Sequence, residues 1–367
     1  MKIAIFGAGQ LAMMMIQSDS KNEHEFIVID PAENPPASRY AKHIRTHYAD
    51  QNMLENIAKT CDVATIDFEN VDVSAIKYLE DKIPTYPNSK ALEICQHRFE
   101  EKHFFRSINI PTTEFRSLTD DFALSDLSNK LEDPNNKYIA KTIRFGYDGK
   151  GQIKLNQNNL RKLIYKSVST DEKYISEKIV NFKSEVSLIC VRTRSGKSLF
   201  YPLVENFHHE GILRLSKYPN EFKQLQNNAE AIGQKILNAL NYVGVLVIEF
   251  FVDENNELIA NEMAPRVHNS GHWTIEGSDT SQFKAHIDAI TGIENIKIEN
   301  LKPSLMLNII SNHITKDKLE VNPTGSVIFL HDYHKEERKN RKLGHVTFIF
   351  KDEETFYKES KKVSKKI

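Results

Sequence analysis

The sequence predicts an α/β protein in which a small doubly wound unit precedes a longer region rich in antiparallel strands. The apolar run Ile3–Phe6 ends in the glycine turn Gly7–Ala12 and leads into residues with helical spacing, which predicts strand, tight turn and helix. Two later apolar runs, 243–252 and 258–262, flank a polar turn and predict a β-hairpin. At roughly 100 to 200 residues per domain, the 367 residues suffice for two or three domains.

Composition excludes several classes of protein. Lys and Arg number 49 against 50 Asp and Glu, so bulk charge gives no support for nucleic acid as a partner. The longest apolar stretch, 243–252, contains Glu249 and is far shorter than the roughly 20 residues of a membrane helix, so no membrane partner is expected. Cys61, Cys95 and Cys190 are odd in number and far apart, which favours reduced thiols and predicts a cytoplasmic protein.

Two further apolar runs, Phe26–Ile29 and Val63–Ile66, extend the N-terminal unit as strands. Asp30 follows the first of them at about the distance at which a dinucleotide-binding fold places its ribose-binding acid. An NAD-dependent oxidoreductase is therefore an alternative, although glycines in such a turn also serve fold geometry alone. Asp67 and Glu69 follow the second strand, and the sequence leaves their role open.

The hairpin carries the strongest chemical signal. A turn centred on Asn255 and Asn256 pairs positions whose numbers sum to 511, which places Glu249 directly opposite Glu262. Two carboxylates facing each other in apolar strands repel unless one is protonated or a cation neutralises them. A hard divalent cation, most simply Mg²⁺ shared with a nucleotide phosphate, resolves the conflict. The alternative is a register slipped by one residue, which turns one carboxylate to solvent.

A lysine inside an apolar strand needs an anionic partner. Lys141 lies in the predicted strand Tyr138–Ile143, ahead of the loop Gly146–Gln152, which has three glycines in seven residues. Such a loop can fold its N–H groups around phosphate oxygens, so we expect a flexible flap over a triphosphate. The alternative is a plain hairpin loop with a lysine whose amine reaches solvent.

Two long helices are expected, at residues 88–105 and at about 220–240. The first carries Arg98 and Lys102 four residues apart on one face. Between residues 334 and 345 lies a charged turn, which is either solvated or a clamp for a substrate phosphate.

The segment that follows Glu262 concentrates polar side chains. Residues 264–274 hold six polar or charged side chains and the only tryptophan, which favours a binding loop on a rigid scaffold. Zinc binding by His268 and His272 is a weak alternative, because no glutamate completes an HExxH pattern and Asn-Ser-Gly disfavours a helix.

Four segments together resemble the ATP-grasp ligases, and among them the N5-carboxyaminoimidazole ribonucleotide synthetases. They are Gly7–Leu11, Gly146–Gln152, Asn261–Thr274 and Arg341–His345, and their order is specific although no single one is. The resemblance covers essentially the whole chain. It implies a Rossmann-like pre-ATP-grasp domain at 1–100, an ATP-grasp domain at 101–295 with a mobile lid at about 110–175, and a small β-rich C-terminal domain at 296–367.

The resemblance also implies an activity. This is ATP- and bicarbonate-dependent carboxylation of 5-aminoimidazole ribonucleotide to N5-carboxyaminoimidazole ribonucleotide through carboxyphosphate, in purine biosynthesis, by a homodimer. Another ATP-grasp carboxylate–amine ligase of purine metabolism is an alternative, because it would share the glycine loop and the glutamates. A non-catalytic nucleotide-binding module is a third. The sequence does not choose between carboxyphosphate and free CO₂ as the carboxyl donor.

Carried over position by position, the resemblance implies a set of site residues. Glu249 and Glu262 match the magnesium ligands, in agreement with the hairpin pairing. The catalytic candidates are Lys141, Asp148, Arg266 and His268. The implied ATP contacts are Arg98, Lys141, Gly146, Tyr147, Asp148, Gly149, Lys150, Gly151, Gln152, Glu177, Lys178, Ile179, Val180, Glu185, His208, Asn261 and Glu262. The implied contacts to the ribonucleotide are Gln10, Leu11, Arg266, His268, Asn269, Lys335 and Arg341.

Overall fold

Three β-sheets organise the part of the chain that the computed structural model describes, residues 1–119, 121–144, 146, 151–311 and 323–364. The strands are β1 (Lys2–Phe6), β2 (Glu25–Ile29), β3 (Lys42–Ile44), β4 (Val63–Ile66), β5 (Phe115–Ser117), β6 (Tyr138–Thr142), β7 (Gln152–Lys154), β8 (Tyr174–Lys178), β9 (Phe182–Arg192), β10 (Ser198–Phe200), β11 (Val204–His209), β12 (Ile212–Tyr218), β13 (Gly244–Asp253), β14 (Leu258–Ala264), β15 (Ser304–Ile310), β16 (Ser326–Asp332) and β17 (Lys342–Phe350). The α-helices are α1 (Gln10–Ser18), α2 (Gln51–Thr60), α3 (Val73–Glu80), α4 (Ser89–Cys95), α5 (Arg98–Ser107), α6 (Asp121–Lys130), α7 (Gln157–Ser169), α8 (Gln226–Ala239), α9 (Thr274–Gly277), α10 (Gln282–Thr291) and α11 (Glu353–Ser364). Short 3-10 turns lie at Pro36–Arg39, Lys223–Leu225 and Asn269–Gly271.

The N-terminal unit has the predicted strand, glycine turn and helix. Its parallel sheet has the order β3-β2-β1-β4. Asp67, which follows β4, accepts hydrogen bonds from the N–H groups of Gly9 (2.7 Å) and Ala12 (3.3 Å) at the start of α1. Asp30, which follows β2, accepts one from Ala8 (3.0 Å). These amides already bind carboxylates within the chain, so the turn offers little to a dinucleotide pyrophosphate.

The central sheet is antiparallel and has nine strands. Its order is β14-β13-β9-β11-β12-β15-β17-β16, with β10 pairing the end of β9. The C-terminal strands join this sheet through the β12–β15 pair, so they extend the central sheet. Helices α8 and α10 both contact β9, and apolar residues of β9 and β13 belong to two buried clusters.

A third sheet, with the order β5-β8-β6-β7, is antiparallel and has four strands. It carries helices α6 and α7, and Leu127, Tyr138 and Leu160 lie in its own buried cluster. Lys141 on β6 and Glu177 on β8 bring charged groups of this sheet toward the helix α5.

Two helices differ from expectation. The helix expected at 88–105 is two helices, each with its own N-terminal cap. Asn88 caps α4 by accepting from the N–H of Ala91 (2.8 Å), and His97 Nδ1 caps α5 by accepting from the N–H of Glu100 (3.3 Å). The helix expected from about residue 220 begins at Gln226, since the side chain of Asn220 accepts from the N–H of Phe222 (2.8 Å) and forms a turn instead.

No helix in the described part of the chain is long and apolar enough to cross a membrane. Cys61, Cys95 and Cys190 are all unpaired thiols, as the sequence predicts.

The glycine turn gives a stability prediction. Gly7 has φ +96°, and a Cβ at this position would lie 1.7 Å from Asp67 Oδ1. We expect Gly7→Ala to lower the free energy of unfolding by about 3 kcal/mol or more, measured by urea denaturation. Gly292→Ala is the control, because φ there is +90° but the nearest atom to a Cβ is 3.6 Å away. It should cost only about 1–2 kcal/mol, and equal losses would contradict the proposed clash.

Candidate active site

The hairpin β13–β14 places Glu249 opposite Glu262, which confirms the predicted pair. The predicted turn, however, is wrong by one residue. The N–H of Asp253 donates to the carbonyl of Glu257 (3.0 Å), and next to the turn Val252 pairs with Leu258, so the position numbers sum to 510 there.

A β-bulge reconciles the two registers. Phe250 pairs with Ala260, whereas Glu249 pairs with Glu262, so Asn261 is an extra residue on β14. In an unbroken register Asn261 would lie opposite Glu249, and Glu262 would point to the other face of the sheet. The bulge therefore brings the two carboxylates together.

The ionised form of Glu249 is less stabilised than the ionised form of Glu262. Its Oε1 atom is buried and has no hydrogen-bond partner among the described residues. Burial raises the pKa of Glu249 to about 7; the charge of His208 opposes this shift, and that of Glu262 adds to it. Near neutral pH this carboxyl group is thus divided between its protonated and ionised forms.

Glu262 has the opposite balance. Burial disfavours its ionised form, but the positive charges of Arg98 and Lys141 outweigh burial and lower its pKa to about 2. Arg98 Nη1 donates to Glu262 Oε2 at 2.8 Å, and Arg98 Nη2 donates to the carbonyl of Gly146 at 2.8 Å. Glu262 is therefore ionised at neutral pH.

The buried lysine of β6 has its anionic partner within the chain. Lys141 Nζ donates to Glu177 Oε2 at 2.7 Å, so its amine does not reach out to solvent. A second buried lysine, Lys102, lies 3.8 Å from the same oxygen. Burial works against ionisation of Glu177, but the charges of Lys102 and Lys141 prevail and lower its pKa to about 2.

A cleft of about 850 Å³ joins the glutamate pair to the N-terminal turn, to the loop after β14 and to the charged turn before β17. The predicted site residues that line it are Gln10, Leu11, Arg98, Gly146, His208, Glu249, Glu262, Arg266, His268, Asn269, Lys335 and Arg341.

The other predicted residues lie around this cleft or outside the described chain. Glu185 is hydrogen-bonded to His208 Nδ1. Asn261 forms the bulge, and its Oδ1 atom is buried without a partner among the described residues. Lys141 lies on β6, and Glu177 and Lys178 lie on β8. Ile179 and Val180 follow β8, Gly151 precedes β7, and Gln152 is its first residue. Tyr147, Asp148, Gly149 and Lys150 lie outside the described residues.

At the other end of the cleft, Glu69 holds Arg266. Glu69 Oε2 accepts from Nε and lies beside Nη2 of Arg266, both at 2.5 Å. Burial lowers the pKa of His268 to about 3, and the charges of Arg266 and Lys342 add to the shift, so its imidazole is neutral. Lys335 Nζ donates to Gln10 Oε1 at 2.5 Å, which links the charged turn to the N-terminal unit.

The two histidines of the zinc alternative do not converge. His268 faces the cleft and its Nδ1 is 2.9 Å from Ser270 Oγ. His272 is fully buried against the rings of Phe283 and His345. Nothing among the described residues forms a cluster of three or more metal-binding His, Cys, Asp or Glu side chains.

The predicted site residues did not include Glu69, whose role the sequence left open, or Glu101 and Lys102. Glu69 follows the carboxyl end of a parallel strand, where ligands bind in open α/β sheets, and this was its available signal. Glu101 and Lys102 are charged yet 2% exposed, three and four residues after Arg98. Their spacing marks one helix face, but only the fold shows that this face is buried.

Comparison with known proteins identifies the family. Family models match residues 1–96 (ribonucleotide synthetase preATP-grasp domain), 103–283 (ATP-grasp domain) and 304–359 (phosphoribosylaminoimidazole carboxylase C-terminal domain). The N5-carboxyaminoimidazole ribonucleotide synthase of Pseudomonas aeruginosa is 38% identical over 97% of this chain and 96% of its own. The chain belongs to the N5-carboxyaminoimidazole ribonucleotide synthase family.

Solved structures of this family agree with the fold. The Staphylococcus aureus N5-carboxyaminoimidazole synthetase complexed with ADP has a TM-score of 0.88 at 33% identity, over 100% of this chain and 96% of that one. The Aspergillus clavatus N5-carboxyaminoimidazole synthase in complex with ADP and 5-aminoimidazole ribonucleotide has a TM-score of 0.84 at 28% identity, over 100% and 97%. The family and the fold predicted from the four motifs are thus confirmed.

The glutamate pair gives a pH prediction. Glu249 has a pKa of about 7 in the folded protein against an ordinary 4.5, so its ionisation weakens the fold as pH rises through this window. Glu249→Gln should match the wild type near pH 4.5 and exceed it above pH 7 by a few kcal/mol, at about 1.4 kcal/mol per pKa unit.

Urea denaturation between pH 4.5 and pH 8.5 measures this difference. Glu254→Gln, at an exposed position in the turn of the same hairpin, is the control and should follow the wild type throughout. A Glu249→Gln protein that is less stable than the wild type at pH 8 would contradict the raised pKa of Glu249 and the cost of burying its ionised form.

Proposed function

We propose that the protein is an ATP-dependent ligase that carboxylates 5-aminoimidazole ribonucleotide with bicarbonate, through carboxyphosphate, to N5-carboxyaminoimidazole ribonucleotide in purine biosynthesis. The observation that carries this proposal is the carboxylate pair Glu249 and Glu262, set beside Arg98 at one end of a cleft. The other end of the cleft has Arg266 and Lys335. Family membership supports the same reading, because a relative binds ADP and this ribonucleotide together.

The donor atoms at the pair fit Mg²⁺. Glu249 Oε1 is buried and lacks a hydrogen-bond partner among the described residues, and Glu262 is ionised beside it. Oxygen ligands of this kind, completed by phosphate oxygens, suit a hard divalent cation. When bound, Mg²⁺ would neutralise charge on the phosphates of ATP and on the phosphoryl group in transfer.

The residues of the chain hold ATP by charge and by backbone amides. Arg98 and Lys141 place positive charge at the phosphate end, which favours phosphoryl transfer by electrostatic stabilisation. The backbone that follows Glu177 is the proposed hinge for adenine, and Glu185 is the proposed partner of the ribose hydroxyls. The proposed role of residues 146–152 is to bind phosphate oxygens and to keep water from carboxyphosphate, which water would hydrolyse.

The ribonucleotide end works by orientation. Glu69 fixes the guanidinium of Arg266, which keeps it pointed at the imidazole end of the cleft. His268 is neutral and accepts or donates a hydrogen bond, but a pKa of about 3 makes it a weak base. It therefore orients the exocyclic amine, and Lys335 and Arg341 hold the ribonucleotide phosphate. Direct carboxylation by carboxyphosphate and carboxylation by released CO₂ both use this arrangement.

The predicted homodimer, the cytoplasmic location and the domain limits near residues 100 and 295 stay predictions. Asp148 also stays a candidate for orienting or deprotonating the amine.

The activity is tested by omission. ADP release should require ATP, Mg²⁺, bicarbonate and 5-aminoimidazole ribonucleotide together, and Glu262→Gln should lower it at least 100-fold, since it removes charge that stabilises bound Mg²⁺. Glu257→Gln, exposed on the same hairpin, is the control. ATP binding without turnover under every combination would favour a nucleotide-binding module, and saturable NADH binding would revive the oxidoreductase.

The ribonucleotide phosphate gives a separate prediction. Replacing Lys335 by Met should raise the KM for 5-aminoimidazole ribonucleotide at least tenfold and leave kcat within about threefold, because the lost contact holds ground state and transition state alike. The exposed Lys351→Met is the control. Initial rates of ADP release measure both constants. An unchanged KM would contradict the assignment of Lys335 to the ribonucleotide phosphate.

A further inference from the structure

One face of helix α5 contacts β14 on both sides of Glu262. Arg98 donates to the Glu262 carboxylate at 2.8 Å. Three residues later, Glu101 Oε1 accepts from the backbone N–H of Met263 at 2.7 Å. Next to it, Lys102 Nζ donates to the backbone carbonyl of Asn261 at 2.5 Å. The helix therefore binds the side chain of Glu262 and one backbone group of each neighbouring residue.

These two backbone groups belong to the β-bulge. In a regular strand the carbonyls of consecutive residues point to opposite edges. On β14 the carbonyls of Ala260 and Asn261 both reach partners away from β13, since Thr112 Oγ1 donates to the first at 2.7 Å and Lys102 to the second. The N–H of Met263 then also faces α5. The bonds from α5 thus match the irregular register, and a regular strand would not present these groups to them.

We propose that Glu101 and Lys102 are positioning residues that hold the bulge at Asn261, so that the Glu262 carboxylate faces Glu249 and completes the cation site. The inference rests on the proposed function for the identity of the cation. Glu101 borders the cleft and Lys102 does not, but both side chains are 2% exposed and are bound to the β14 backbone, so we assign neither as a ligand. Phe105, one turn further along the helix and fully buried, anchors the same face of α5 in the core.

A purely structural role would predict a different outcome from this one. A helix that only packs on the sheet edge would lose stability on mutation and change nucleotide binding equally with and without Mg²⁺. A helix that positions Glu262 should lose the part of nucleotide binding that depends on the metal. The metal-dependent part of nucleotide binding should be retained when the residue at position 101 still has an oxygen acceptor.

The test compares Glu101→Met, Lys102→Met and Glu101→Gln with the wild type. Met has a similar length and cannot bond to the backbone, whereas Gln keeps an oxygen acceptor for the N–H of Met263. Glu100→Met is the matched control, because Glu100 is the exposed residue one position earlier on the same helix. The probes are ADP in EDTA and ADP in Mg²⁺, titrated by calorimetry.

We expect Mg²⁺ to tighten ADP binding to the wild type, to Glu101→Gln and to Glu100→Met by similar factors. The factor should fall at least tenfold in Glu101→Met and Lys102→Met, with ADP binding in EDTA changed less than threefold in Glu101→Met; Lys102 also lies 3.8 Å from Glu177, so its variant is judged by the Mg²⁺ factor alone. ¹⁵N-methionine labelling gives a second readout, with seven methionines in the wild type and in Glu101→Gln and eight in Glu101→Met. Hydrogen exchange of the Met263 amide should speed up at least tenfold in Glu101→Met and stay unchanged in Glu101→Gln.

Several results would overturn the proposal. One is a folded Glu101→Met protein in which Mg²⁺ tightens ADP binding as much as in the wild type. Another is a folded Glu101→Gln protein in which this tightening falls tenfold. The Glu101→Gln result decides the question if Glu101→Met does not fold. If Mg²⁺ fails to tighten ADP binding to the wild type, the metal assignment of the proposed function fails first and the positioning of a metal ligand fails with it.

Discussion

The site depends on two carboxylates held face to face across a β-hairpin. Glu249 and Glu262 pair directly, and their repulsion is only partly relieved within the chain. Arg98 stabilises the charge of Glu262, whereas Glu249 has a buried oxygen without a hydrogen-bond partner among the described residues. Burial of such a group is costly unless a partner arrives. A cation that binds at this point of the cleft would therefore stabilise the ionised form of Glu249.

The fold builds this site by bringing distant parts of the chain together at the edge of the central sheet. β14 is an edge strand of the central sheet, and helix α5 and the segment around Thr112 bind its outer backbone groups where another strand would normally pair. The sheet β5-β8-β6-β7 adds Lys141 and Glu177 beside α5. The N-terminal turn adds Gln10, which bonds to Lys335 of the C-terminal strand region. The cleft is thus built from segments that each sheet holds in place.

Local patterns were enough to predict the glutamate pair, the glycine turn and a buried Lys141, because each depends on residues close in sequence. The bulge at Asn261 was not predictable, since nothing in the hairpin itself requires an extra residue; its partners lie on α5, roughly 160 residues earlier. The residues of the pair Glu69 and Arg266 are even further apart, 197 positions in sequence. The predicted Glu249–Glu262 pairing was correct although the turn was off by one, because the bulge compensates for the turn.

Several cations in and beside the cleft already have carboxylate partners in the free protein. Lys141 and Lys102 share Glu177, and Arg266 is bound by Glu69, so a nucleotide or ribonucleotide meets cations that already have partners. Buried pairs of this kind add little net stability, but they keep side chains oriented before the ligand binds. Glu249 is the exception, because His268, 3.7 Å from its carboxylate, is neutral, and the charge of His208 does not prevent burial from raising the pKa of Glu249 to about 7. Cation binding at this carboxylate therefore relieves repulsion instead of breaking an existing pair, which makes the glutamate pair the place where binding energy is gained most directly.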